Sequence, residues 1–205
     1  MVHQPLHPYQ TEGGWVDYHR QVAAAVPGMG VVPYIRDTRI DARRLRQLAR
    51  DCPNLVGIKY AVPNPVNFTK LVTETADLDI TWICGLAERW APFFWLGGAT
   101  GFTSGLAAVA PELAWGLMSA LKAGDIGGAM TLWRSMEPFE ALRNQDDAAF
   151  NVSVIKDALS QLGLTGSGVR PPASPVSSGM RSQIRGLLID WGLIDSSSLP
   201  TAAVS

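Results

Sequence analysis

Short apolar segments ending at Tyr34, Lys59, Gly85 and Ser104 recur every 19 to 26 residues, and a helical pattern separates each from the next. This is the rhythm of βα units on a parallel sheet. Glu12 to Val26 carries Trp15, Tyr18, Val22 and Ala25 at three- and four-residue steps, with Thr11 as N-cap and Pro27-Gly28 as the stop. Strand-like Gly30 to Tyr34, helical Asp41 to Arg50, the strand holding Lys59, helical Asn67 to Ala76, strand-like Ile80 to Gly85, helical Glu88 to Leu96 and strand-like Ala99 to Ser104 complete the series. Special residues collect where each strand meets its loop: Tyr34 with Arg39, Lys59, Gly85 with Glu88, then Thr103 and Ser104. In a parallel barrel those points converge on one face.

Lys59 stands out among them. The segment Leu55-Val56-Gly57-Ile58-Lys59-Tyr60 places a charged side chain at the end of an apolar, β-branched run that reads as a buried parallel strand. Burying an ammonium is costly unless it is paired or loses its proton. The residues leave two roles open for Lys59: an ion pair with a carboxylate such as Glu88, or service as a neutral amine. A free lysine titrates near a pKa of about 10.4, so the second role requires burial or positive neighbours to lower it into the catalytic range.

Beyond Pro111 the alternation stops and helices alone follow, at Pro111 to Ala123, Asp125 to Arg143, Ala148 to Leu162 and Ser178 to Trp191. A loop through Gly163, Gly166, Gly168, Pro171, Pro172 and Pro175 precedes the last. The expected division is therefore half of a (β/α)8 barrel over 1–110, the last barrel helix and a C-terminal helical extension over 111–194, and a flexible tail at 195–205. A closed barrel needs eight strands and about 250 residues, whereas four confident βα units are present here. Either another chain supplies the missing strands or the sequence is part of a longer gene product, with an in-frame upstream extension of roughly 90 to 110 residues.

The composition fits a globular protein with a real core: 205 residues, 47% hydrophobic, 17% charged and a formal net charge of −1. Neither nucleic acid nor an anionic membrane is favoured as a partner. Cys52 and Cys84 suit reduced thiols, which makes the cytoplasm the expected location. Met1 to Gln10 is no signal peptide, and no apolar run reaches transmembrane length. His3, His7 and His19 lack metal-ligand spacing, and neither a phosphate-cradling glycine loop nor a dinucleotide fingerprint occurs, so no metal and no cofactor is expected.

Tyr34 and Arg39, Gly57-Ile58-Lys59, Gly85, Gly101-Phe102-Thr103-Ser104-Gly105, Asn151 to Lys156 and Arg170-Pro171-Pro172 follow in an order that resembles the dihydrodipicolinate synthase and N-acetylneuraminate lyase family of class I aldolases. The likeness runs from about His3 to Ile194. It implies an α/β fold, a partial (β/α)8 barrel comprising strands five to eight with an appended helical layer. It implies that Lys59 forms a Schiff base with a 2-oxo acid and that Tyr34 assists proton transfer. It places Arg39 in a substrate-binding position, and a dimer or tetramer is the expected assembly. Gly85, Thr103 and Ser104 are further candidates to line the substrate pocket.

Departures from the family pattern are equally specific. The Gly-Thr-Thr-Gly-Glu type of loop that holds the pyruvyl carboxylate has no counterpart, and Ile35 stands where the family often has Asn. Met1 to Tyr9 resembles the end of strand four, and the second tyrosine of some members falls near Leu6 or His7. Gly85-Leu86-Ala87-Glu88 lacks the paired acids that sugar-binding lyases use, which argues against sialic acid.

Each candidate also has a structural reading. Tyr34 suits a strand-end aromatic with its hydroxyl in water. Arg39 lies among Arg36, Arg43, Arg44, Arg46 and Arg50, most of them on a solvated helix face. Gly85, Thr103 and Ser104 fit turn geometry and close packing. Trp90, Phe93, Phe94 and Trp95 read as packing residues, and Lys156 as a structural bridge between helix and barrel. Two functions follow: a Schiff-base lyase acting on pyruvate or a 2-keto-3-deoxy sugar acid by aldol cleavage, condensation or dehydration, or a truncated, inactive half barrel that serves as an oligomerisation module or is a gene fragment.

Overall fold

A computed structural model of the chain describes residues 1–3 and 9–196. They form two compact units, Met1–Thr103 and the residues from Ser104 onward. The first unit holds one sheet of five parallel strands in chain order: β1 (Val2–His3), β2 (Pro33–Ile35), β3 (Gly57–Tyr60), β4 (Thr81–Cys84) and β5 (Gly101–Phe102). Helices α1 (Glu12–Ala25), α2 (Ala42–Asp51), α3 (Pro65–Glu74) and α4 (Ala87–Leu96) follow the first four strands.

Local chemistry sets the helix starts. Thr11 Oγ1 accepts from the Gly14 N–H at 3.0 Å and Asp41 Oδ1 from the Arg44 N–H at 3.0 Å. Helix α3 begins at Pro65, two residues before the expected start, because Asn64 caps it and Pro65, which has no N–H to satisfy, opens the first turn. Strand boundaries are tighter than expected. Val31 makes only an isolated bridge to Leu55, and Val56 is 48% exposed, so β3 starts at Gly57. At β5 the Ala99 N–H closes α4 on the Phe94 carbonyl, and the ladder shrinks from the expected Ala99–Ser104 to Gly101–Phe102.

Pleating splits the strand residues between two faces. Ile35, Ile58, Tyr60, Trp82 and Cys84 turn into the core. Tyr60, Phe68, Trp82 and Phe94 form a ring cluster there, with Phe68 and Phe94 centroids 4.6 Å apart. Of the four aromatics in α4, Phe94 is fully buried, Trp90 packs against the core, Trp95 is half-buried and Phe93 is 39% exposed.

The second unit is helical: a 3-10 turn at Leu106–Ala108, then α5 (Pro111–Lys122), α6 (Ile126–Arg143), the short α7 (Gln145–Ala148), α8 (Asn151–Gln161) and α9 (Ser178–Asp190). Helices α5 and α6 pack together, as do α8 and α9, around Leu117, Met136, Phe139, Val154, Ile184 and Leu188. Helix α8 begins at Asn151 instead of Ala148, because Asp146, Asp147 and Ala148 all take left-handed backbone angles, with φ of 50°, 56° and 64°. Glu140 and Arg143 make a buried ion pair at 2.5 Å, and Arg143 also donates to Asn151 Oδ1 at 2.9 Å. Lys156 was expected to bridge helix and barrel. Its ammonium instead donates to the Gly168 carbonyl, tying α8 to the glycine- and proline-rich loop of its own unit.

Leu6, His7 and the expected tail from residue 197 on lie outside the described residues. Among the described residues, Cys52 and Cys84 are free thiols, no helix is long and apolar enough to cross a membrane, and no cluster of potential metal ligands occurs.

His19 makes the fold sensitive to pH. It is fully buried on α1, its Nδ1–H donates to the Trp15 carbonyl at 2.8 Å, and its Nε2 has no hydrogen-bond partner among the described residues. Burial pulls its pKa below the usual histidine value, only partly offset by the bond to Trp15. The unfolded chain therefore takes up a proton near pH 6.5 that the folded chain refuses. Stability from this group is complete above about pH 6.5 and declines as pH falls through the window down to the lower folded value. Urea denaturation at pH 7.5 and pH 5.5 should show a larger acid loss for the natural chain than for His19→Phe; equal losses would assign the acid sensitivity elsewhere.

Candidate active site

Register places five residues at one level across the sheet. His3 pairs with Tyr34, Tyr34 with Lys59, Lys59 with Ile83 and Ile83 with Gly101. By the alternation of the pleat, these side chains lie on the face opposite the core cluster, and Tyr34, Lys59 and Ile83 are half-buried. Lys59 is thus less deeply enclosed than its sequence context suggests, with Tyr60 as the core-facing neighbour.

The Lys59 Nζ lies 4.3 Å from the centre of the Tyr34 ring. Desolvation pulls the Lys59 pKa below the ordinary lysine value, and among the described residues no carboxylate opposes that effect. Glu88, the partner considered from sequence, is fully buried at the start of α4 and makes no ion pair with Lys59. Cys84 is the other titratable group that Lys59 senses. Burial pushes its thiol up to about 12, so at neutral pH it is uncharged and leaves the lysine shift intact.

Gly85 gives the lysine its room. A Cβ there would stand 3.0 Å from Lys59 Cγ, 2.9 Å from Ala61 Cβ and 3.0 Å from the Tyr60 carbonyl oxygen. That carbonyl already accepts the Gly85 N–H at 2.7 Å and cannot retreat without breaking the ladder. Gly85→Ala should displace the lysine stem and lower stability by about 1–3 kcal/mol. Urea denaturation measures the loss, and an unchanged midpoint would show that the added methyl is accommodated without cost. Two residues on, Ala87 opens α4 with a φ of 58°, a left-handed conformation that costs a non-glycine residue about 1–2 kcal/mol. Strain of this kind gathers at functional turns.

The remaining predicted residues are placed differently. Arg39 is exposed and held by Asp37, with Nη2 to Oδ2 at 2.6 Å and Nε to Oδ1 at 3.0 Å, while Nη1 donates to the Gln10 carbonyl at 3.1 Å. An anionic substrate would have to share that guanidinium with Asp37. Thr103 is tied to the sheet by its N–H to the Cys84 carbonyl at 3.0 Å. Ser104 belongs to the second unit, where its Oγ accepts the Ala107 N–H at 2.7 Å and caps the 3-10 turn. His3 was read only as a histidine without metal-ligand spacing. It stands edge-on to Tyr34, centroids 5.1 Å apart at 90°, a relation that depends on cross-strand register and has no local sequence signal.

Residues 4–190 match the model of the Dihydrodipicolinate synthetase family. The chain belongs to that family. Among solved family structures, it is 38% identical to dihydrodipicolinate synthase from Bacillus clausii, with a TM-score of 0.87 over 93% of this chain and 64% of that one. The synthase from Oceanobacillus iheyensis is 36% identical, with a TM-score of 0.86 over 94% and 64%. A probable 5-dehydro-4-deoxyglucarate dehydratase from Allorhizobium ampelinum is 29% identical over 177 residues, covering 84% of this chain and 58% of the relative. The chain therefore spans less than two thirds of the length of these family members. Its parallel α/β sheet corresponds to a partial barrel of the family fold.

Proposed function

We propose that Lys59 captures a 2-oxo acid as a Schiff base and that the chain carries the lysine-bearing part of a carbon–carbon or carbon–oxygen lyase. The observation that carries this reading is the Lys59 amine on the sheet face beside Tyr34, held below the ordinary lysine pKa by desolvation with no carboxylate partner among the described residues. The unprotonated amine attacks the C2 carbonyl carbon, and loss of water leaves an iminium. Its positive nitrogen accepts the electron pair released when a C3 proton or a C3 substituent departs. Tyr34 moves protons beside the imine. Gly85 clears the approach, and Thr103 serves the anionic end of the substrate.

The names of the curated relatives favour dehydration of a keto-deoxy sugar acid over condensation. Pyruvate, the smallest 2-oxo acid with an acidic C3, is the practical probe. Incubation with pyruvate and borohydride, followed by peptide mass mapping, should place a reduced adduct on Lys59. No adduct on a chain shown to be folded would overturn the reading.

Exposed apolar side chains at Val66, Phe93 and Leu96 favour a second reading, a catalytically silent partial barrel that acts as an oligomerisation module. That form would show neither adduct nor pyruvate-dependent thermal shift. In either case we expect a dimer or tetramer in the cytoplasm: Val66, Phe93 and Leu96 are 80%, 39% and 69% exposed, and both cysteines are free thiols. Light scattering after size exclusion reports the assembly.

A further inference from the structure

We infer that His3 is a positioning residue that acts through Tyr34, exchanging with solvent the proton that Tyr34 takes from or gives to the substrate carbon. The inference rests on the Schiff-base reading above and adds a route for the proton. Three observations support it. His3, Tyr34 and Lys59 occupy one rung of three adjacent parallel strands, so their side chains share a face. The His3 ring meets the Tyr34 ring edge-on at 5.1 Å, and the Lys59 Nζ meets the same tyrosine ring at 4.3 Å. Finally, His3 is exposed whereas Tyr34 and Lys59 are half-buried, so the rung runs from solvent to the amine.

The chemistry needs such a group. A phenol alone is a poor proton acceptor near neutral pH, because its ordinary pKa is about 10. Histidine is the side chain whose charge ordinarily changes between about pH 5 and 8. In the proposed step the C3–H bond of the iminium breaks, and its electron pair becomes the C2=C3 bond while the C=N pair returns to nitrogen. The released proton passes to the Tyr34 oxygen as the phenolic proton passes to an imidazole nitrogen of His3, directly or through one water. The tyrosine is left neutral, and His3, now cationic, releases its proton to solvent. Among the described residues, the titratable groups on the strands beside β1 are Tyr34 and, one strand further, Lys59; on β1's own side the Met1 amino group is two residues away.

The test separates this relay from the capture of pyruvate. In D2O, proton NMR follows replacement of pyruvate methyl hydrogens by deuterium, while borohydride trapping follows imine formation at Lys59. Compared variants are His3→Phe, which keeps an aromatic edge but carries no exchangeable proton, and His3→Gln, which keeps polarity. Both should retain trapping within about twofold and lose exchange by about tenfold or more, the lower range for a proton-transfer group. Divided by the trapping rate at the same pH, the natural chain's exchange rate should rise between pH 5 and 8 and the variants' should not. Added imidazole should restore exchange to His3→Ala. Failure of the natural chain to trap pyruvate would overturn the Schiff-base reading, and this inference with it. Intact trapping with unchanged exchange and an unchanged pH profile in His3→Phe and His3→Gln would overturn the relay alone, as would equal loss of trapping and exchange.

Discussion

Lys59→Met should abolish borohydride-trapped adducts with pyruvate and lower any turnover by on the order of 10⁴-fold or more, the scale of loss when a covalent nucleophile is removed. Methionine keeps the length and apolar stem that pack beside Tyr34 and Gly85 while deleting the amine. The substitution also removes the cost of holding a half-desolvated lysine, so the folded chain should be no less stable than the natural one. In the natural chain the trapping rate should climb with pH through a midpoint below the 10.4 or so of a free lysine, because the unprotonated form is the nucleophile and desolvation favours it. Trapping on another lysine, or a midpoint at the ordinary value, would show that the site does not activate Lys59.

The largest stability effect should come from the second unit. Glu140 and Arg143 are 5% and 7% exposed at the side chain and paired at 2.5 Å, with a second Arg143 N–H held by Asn151. Glu140→Met leaves the guanidinium buried without its carboxylate and should cost about 3–5 kcal/mol in urea denaturation. The double replacement Glu140→Met with Arg143→Met removes both charges and should recover most of that loss. A double variant as unstable as the single one would show that the pair itself, and not the stranded cation, supplies the stability.

The parallel βα order was readable because it rests on short-range signals. Thr11, Asp41 and Pro111 mark helix starts by chemistry that acts within one turn, and those starts fall at or within one residue of their expected positions. The break before Asn151 was not readable, since three successive left-handed residues that include Asp and Ala carry no compositional warning. Lys59 and Tyr34 were singled out partly through resemblance and partly because a charge in an apolar strand demands an explanation. Gly85 was visible as a strand end, but its closeness to the lysine stem appears only when β3 and β4 lie side by side. His3 carries no local signal because two dipeptides far apart in the sequence, Val2-His3 and Pro33-Tyr34, become neighbours through register alone. Arg39 illustrates the converse: its position suggested an anion site, and its nearest acid, two residues away, already occupies the guanidinium.

The protonated Cys84 thiol has a practical consequence for covalent ligand design. Near neutrality its sulfur lacks the thiolate form that alkylating and Michael-acceptor reagents need, and it is fully buried. Lys59, two residues before the core-lining Ala61, presents an amine biased toward its free-base form. Aldehyde or activated-ester warheads should therefore label nitrogen in preference to sulfur, making this face of the sheet suited to lysine-directed covalent ligands.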